Sequence, residues 1–123
     1  MNLKTALSVG LLLFAFASCT KPEDQFIGKW QILTVVENNT PVSLKDNWMY
    51  LKPDGTFDSF DGDLGKHESG LWTYQSKSQT LLIDGNGEDG DSEWRISTKN
   101  DTLFFHATSG NLYLTAIKMS PLK

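Results

Sequence analysis

From Phe26 onward, apolar residues do not recur at intervals of three and four over any stretch of helical length, so no amphipathic helix is indicated. The chain instead runs in short segments rich in Trp, Tyr, Phe, Ile, Val, Leu and Thr, broken by Gly, Asp, Asn and Ser. This pattern predicts strands over Gly28–Val36, Trp48–Lys52, Thr56–Phe60, Glu68–Gln75, Thr80–Asp84, Ser92–Thr98, Thr102–His106 and Leu112–Met119. Pro53 and Gly55 supply turn chemistry between the second and third segments, and Lys99–Asp101 and Ser109–Asn111 are equally tight. Tight connections join antiparallel neighbours. The expected fold is therefore all-β, an eight-stranded antiparallel up-and-down barrel, because closure removes the exposed edges that an open sheet would leave. Glu37–Asn47 and Asp61–His67 are longer and more polar, and are expected to be mobile end loops.

Alternation assigns the faces. Trp30, Ile32, Thr34 and Val36 share one face of the first strand; Gly70, Trp72 and Tyr74 share one, as do Trp94, Ile96 and Thr98. The expected inward set includes Trp30, Tyr50, Phe57, Trp72, Tyr74 and Trp94. Two interiors are compatible with it. These aromatics either fill the barrel themselves, or they line a cup for a small apolar or sugar-like ligand, with Trp48 and Phe60 near the open rim. On the outside, Leu33, Val35, Phe104, Tyr113 and Ile117 are expected to form an apolar strip. Such a strip suits contact with a partner or a membrane, by docking or self-association, unless the arm at Phe26 and Ile27 covers it.

Composition and charge narrow the class. Removing the first 18 of 123 residues leaves enough chain for one domain, and 39% hydrophobic content argues against a disordered chain. With 11 basic and 15 acidic side chains and a net charge of −4, the protein lacks the basic stripe that nucleic acid requires. At the N-terminus, Lys4 precedes an apolar run from Ala6 to Ala17 that closes on Ser18 and Cys19. That is the layout of a secretory signal peptide, and the run is short of the roughly 20 residues that span a bilayer. Cys19 is the only cysteine, so no internal disulfide is possible.

Phe16, Ala17, Ser18 and Cys19 resemble a bacterial lipobox, with Phe16 where Leu is usual. The resemblance implies cleavage before Cys19 and lipid attachment to its thiol, giving a signal peptide over 1–18, a lipidated tether over 19–25 and a domain over 26–123. Two or more acyl chains anchor stably, at roughly 0.8 kcal/mol per buried methylene. Thr20 is not the Asp of inner-membrane retention, and Lys21–Asp24 resembles charged signals for the outer membrane.

The domain itself resembles the lipocalin-like domain of small bacterial lipoproteins. Four segments carry the likeness: FIGKW (Phe26–Trp30), YLKPDGTF (Tyr50–Phe57), GLWTY (Gly70–Tyr74) and LYLT (Leu112–Thr115). In lipocalins the Trp of the Gly-x-Trp motif packs across the closed end of the barrel beneath an arginine from the last strand. The resemblance gives that role to Trp30, with Lys118 in place of the arginine; Arg95 is the only arginine present. No helical pattern follows the last strand, as it does in larger members, so the outer strip is expected to be uncovered.

Catalytic and metal chemistry find little support. His67 has no second histidine at zinc spacing, His106 reads as a strand-end residue, and no glycine loop ends in Gly-Lys-Ser/Thr. In the loop Asp84–Asp91, residues Asp84, Asn86 and Glu88 match the first positions of a calcium loop, but Asp89 and Arg95 stand where Gly and Glu are needed. That loop, and Asp61 with Asp63, read as solvated acidic turns. No cofactor, metal or catalytic residue is expected. The sequence thus points to a non-enzymatic, lipid-anchored binding protein of the cell envelope. An alternative is an interaction module, such as an inhibitor or accessory subunit, with a side-chain-filled barrel.

Overall fold

Nine antiparallel strands follow a short 3-10 turn, Pro22–Phe26, in a computed structural model that describes residues 21–86 and 91–119. The expected signal peptide, Cys19 and Thr20 lie outside the described residues. The strands are β1 (Gly28–Glu37), β2 (Thr40–Val42), β3 (Trp48–Leu51), β4 (Thr56–Asp61), β5 (Lys66–Gln75), β6 (Thr80–Gly85), β7 (Asp91–Lys99), β8 (Thr102–Ala107) and β9 (Leu112–Lys118). β3 to β9 pair in sequence order, and β1 pairs with both β3 and β9. That last pairing closes an eight-stranded barrel, as the strand pattern predicts. β2 stands beside it as a flap on the far half of β1, with Val36 opposite Pro41.

Two segments expected to be loops are more ordered. Within 37–47, Asn38 and Asn39 both take positive φ, 51° and 66°, the geometry of a two-residue hairpin turn, and this turn creates β2. The 61–67 segment is a hairpin in which β4 and β5 pair out to Asp61 and Lys66. Its tip lies against the connection leading into β3: the Gly62 N–H donates to Asn47 Oδ1 at 3.0 Å. A Cβ on Gly62 would fall 1.2 Å from the Lys45 carbonyl oxygen, so only glycine fits there.

Up-and-down order sorts the turns to two ends. The start of β1, the β3–β4, β5–β6 and β7–β8 turns and the end of β9 share the closed end; the other connections surround the mouth. The closed half is filled. Phe26, Trp30, Leu51, Phe57, Trp72, Leu81, Ile96, Leu103 and Ala116 are buried in one cluster with Phe105 and Ile83. Phe26 plugs the bottom, its ring 4.6 Å from that of Tyr74, and its carbonyl accepts the Trp30 indole N–H at 2.9 Å. The arm at Phe26 therefore folds into the core and does not cover the outer strip. Lys118 Nζ lies 5.5 Å from the Trp30 ring, within cation–π range. Gly28, at φ 140°, lets that lysine cross, since a Cβ there would sit 2.7 Å from Lys118 Cε.

One irregularity changes the face assignment. Between Ile32, opposite Ala116, and Thr34, opposite Thr115, the β1–β9 register shifts by one residue at Leu33. A bulge of this kind reverses the alternation beyond it. Val35, expected outside, therefore faces inward opposite Leu114, while Thr34 and Val36, expected inside, turn outward.

Candidate functional site

Above the packed half, the mouth half encloses a cup of about 220 Å³. Its wall is built from the inward positions of successive strands. Ile32 and Val35 come from β1, Met49 from β3, Ser59 from β4, Glu68 from β5, Ile83 from β6, Ser92 and Trp94 from β7, Phe105 from β8 and Leu114 from β9. The floor includes Phe57, and Asn47, Trp48 and Phe60 border the rim. The cup forms because the inward residues near the mouth (Ser59, Val35, Ser92) are smaller than those near the base (Trp30, Trp72, Phe26).

The wall is mainly apolar, with few polar groups. The Trp94 indole N–H donates to Ser92 Oγ at 2.8 Å, and its ring meets Phe105 edge-on at 5.8 Å. Met49, Ser59 and Glu68 face inward along one row across β3, β4 and β5. Glu68 is the one charged side chain among the lining residues. Its nearest cation is Lys66 at 3.5 Å, and the two side chains are 42% and 62% exposed, so the pair is solvent-screened.

The structure divides the aromatics expected inside into three groups. Phe57, Trp94 and, at the rim, Trp48 border the cup. Trp30, Trp72 and Tyr74 belong to the closed half, where the Trp72 indole donates to the Lys52 carbonyl at 2.9 Å. Tyr50 is on the outer face, 38% exposed, because its neighbours Met49 and Leu51 take the inward positions. Lys52 Nζ stands 5.6 Å from the Tyr50 ring and 2.7 Å from Asp58; the hydrogen bond to Asp58 raises the lysine pKa above its ordinary value. Sequence reasoning missed most of the wall. Glu68 and Ser59 were accessible to it, since alternation from Trp72 and Phe57 places both inside.

Outside, Leu33 (46% exposed), Phe104 (42%) and Tyr113 (46%) remain uncovered on β1, β8 and β9, with Ile117 partly buried beside them. Val35 leaves this strip for the cup. Tyr113 stacks on His106 at 4.2 Å. A second aromatic group, Trp48 with Phe60 and His67, occupies the mouth side of β3–β5, with Lys29 Nζ 4.1 Å from the Trp48 ring.

In the acidic connection, the hydrogen bond to Asp84 raises the Asp91 pKa from its ordinary value. Residues 87–90 lie outside the described ones, and with them Glu88 of the calcium reading. Among the described residues no group of three or more His, Cys, Asp or Glu side chains is placed to hold a metal ion.

A solved structure of a DUF4847 family protein from Bacteroides vulgatus ATCC 8482 has a similar fold, with a TM-score of 0.60 at 13% sequence identity. The match covers 81% of this chain and all of that one. No family model and no curated protein matches the sequence.

Proposed function

We propose that this protein is a non-enzymatic, lipid-anchored binding module of the cell envelope, lipocalin-like in layout, which takes a small, mostly apolar ligand in its mouth-side cup. The supporting observation is the cup itself, a cavity of about 220 Å³ with apolar and aromatic walls above a core already packed. Pockets for drug-sized molecules run to about 300–1,000 Å³, so the ligand is small. Anchoring, and with it an outer-membrane address, is supported by Cys19 in its lipobox-like setting and by the charged segment Lys21–Asp24 that follows. Native mass spectrometry of the protein purified from its own envelope tests both parts. We expect a diacylglyceryl-type mass increase that Cys19→Ser abolishes, and a retained small molecule that Ser59→Phe, which fills the cup, excludes. A chain with an unmodified thiol would refute the anchor; a bare barrel that also takes up no apolar probe would refute the cup.

A second reading, docking of an envelope protein, draws on the exposed trio Leu33, Phe104 and Tyr113. It predicts that Phe104→Glu with Tyr113→Glu releases a co-purifying polypeptide while cup binding persists.

A further inference from the structure

Charge is distributed unevenly along the barrel axis. At the mouth, Glu37 and Asp46 flank the β1–β3 connection, and Asp61, Asp63 and Glu68 flank the β4–β5 turn. Asp84, Asp91 and Glu93 flank the β6–β7 connection. The cations on that side among the described residues are Lys45, Lys66 and Lys29, whose Nζ lies over the rim residue Trp48. At the closed end the signs are mixed: Lys52, Lys77, Lys99 and Lys118 at or beside the turns stand with Glu23, Asp24, Asp54 and Asp101. A concave site with low-dielectric walls and a rim of one sign concentrates its field in the opening and raises the local concentration of counter-charged ligand. Here the field favours cations.

The cup carries the same sign inward. Glu68 is its only charged lining residue, and it faces Ser59 and Met49 on the neighbouring strands. Two features keep its carboxylate available. The Lys66 contact is long and solvent-screened, worth little on its own. No other hydrogen bond to the Glu68 side chain is formed among the described residues. Trp94, across the wall, adds an aromatic surface that also attracts a cation. An anionic head group would meet the opposite of each of these conditions.

We infer that the cup selects a small cationic amphiphile, an ammonium or guanidinium head on an apolar body, with Glu68 receiving the head and Ile83, Trp94, Phe105 and Leu114 holding the body. This rests on the reading of the cup as a ligand site and specifies its ligand class. The cavity has the volume of about seven liquid waters, at roughly 30 Å³ each, which fits a short chain or a single ring but not a two-chain lipid.

Titration of the purified soluble domain with n-octylamine, n-octanol and n-octanoate at neutral pH, followed at the Trp94 indole N–H by NMR, tests this. These probes share one tail and differ in head charge. Octylamine should bind about tenfold more tightly than octanol, the ratio that one charge-assisted hydrogen bond supplies, with octanoate weakest. The preference should shrink as salt is raised, because the rim is exposed. Glu68→Gln should bring amine and alcohol to equal affinity, and an NMR spectrum unchanged away from the cup shows that the variant is folded. Equal binding of amine and alcohol, or a preference that survives Glu68→Gln, overturns the cationic assignment and leaves the cup standing. If no probe binds, the cup reading falls with it.

Discussion

Trp30 shows how one side chain closes an end of the barrel. Its ring is 2% exposed, its indole N–H is bonded to the Phe26 carbonyl at 2.9 Å, and Lys118 lies across it. The three contributions differ in size. Burial of the ring dominates, and truncation of a buried aromatic to alanine costs about 3–5 kcal/mol. The hydrogen bond matters chiefly through what its loss leaves behind, a buried carbonyl without a donor, at about 1–3 kcal/mol. The cation belongs to an exposed side chain and contributes about 0.5–1 kcal/mol. Urea unfolding of the soluble domain should therefore rank Trp30→Ala as most destabilised, Trp30→Phe as intermediate and Lys118→Met as nearly unchanged. A Lys118→Met loss as large as that of Trp30→Phe would mean that the lysine, and not the indole bond, locks the base.

At the scale of elements, the bulge in β1 decides which residues reach the cup. Regular alternation would carry Val36 inward after Trp30 and Ile32; the extra residue at Leu33 gives that place to Val35. The two valines are adjacent and chemically identical, so an acid at each reports the face. Val35→Asp puts a carboxylate against Leu114 and should cost about 1–3 kcal/mol of stability, measured by thermal or urea melts. Val36→Asp, on the outer surface opposite Tyr113, should stay within about 0.5 kcal/mol of the parent. The reverse order would mean an unbulged strand. The same feature marks the limit of what the sequence conveys. The eight barrel strands were legible because β-rich runs and turn residues alternate without ambiguity, and Trp30, Trp72 and Trp94 took their faces from alternation alone. The bulge was not, because its residue is a leucine rather than the glycine that often marks such a site. β2 escaped notice because three exposed residues around a proline make a poor strand by propensity. Tyr50 was misplaced for a third reason: its strand is apolar on both faces, so hydrophobicity could not choose between Tyr50 and its neighbours Met49 and Leu51. The filled base and open cup depend on height along the axis, which follows only once the turns are sorted to their ends.

For the whole molecule, the position of the N-terminus fixes an orientation. Lys21 begins the described chain at the closed end, two residues after Cys19, and the Pro22–Phe26 turn is held there by Phe26 against Tyr74. A lipid on Cys19 would leave almost no slack, since a residue spans at most about 3.6 Å. The base would then rest at the bilayer surface, with Lys52, Lys77, Lys99 and Lys118 near it, while the acidic mouth opens away from the membrane. Where the headgroups are anionic the carboxylate rim is repelled, while the base, whose lysines stand beside Glu23, Asp24, Asp54 and Asp101, is close to balanced. The ten-residue strands of β1 and β5, rising about 3.3 Å per residue and tilted as barrel strands are, put the rim roughly 25 Å above the base. Spin labels on engineered cysteines, in protein whose Cys19 carries the proposed lipid, would read that distance. A label at Lys77, in the β5–β6 turn, should show strong relaxation by headgroup-bound paramagnetic lipid in vesicles containing anionic phospholipid; one at Gly110, in the β8–β9 turn, should show little. Raising salt should loosen the Lys77 contact without exposing Gly110 to the bilayer, because the anchor and not the charge sets which end is down. Equal relaxation at both sites would mean a barrel lying on its side, which would turn the uncovered strip of Leu33, Phe104 and Tyr113 into the membrane-facing surface and free it from any role in binding a protein.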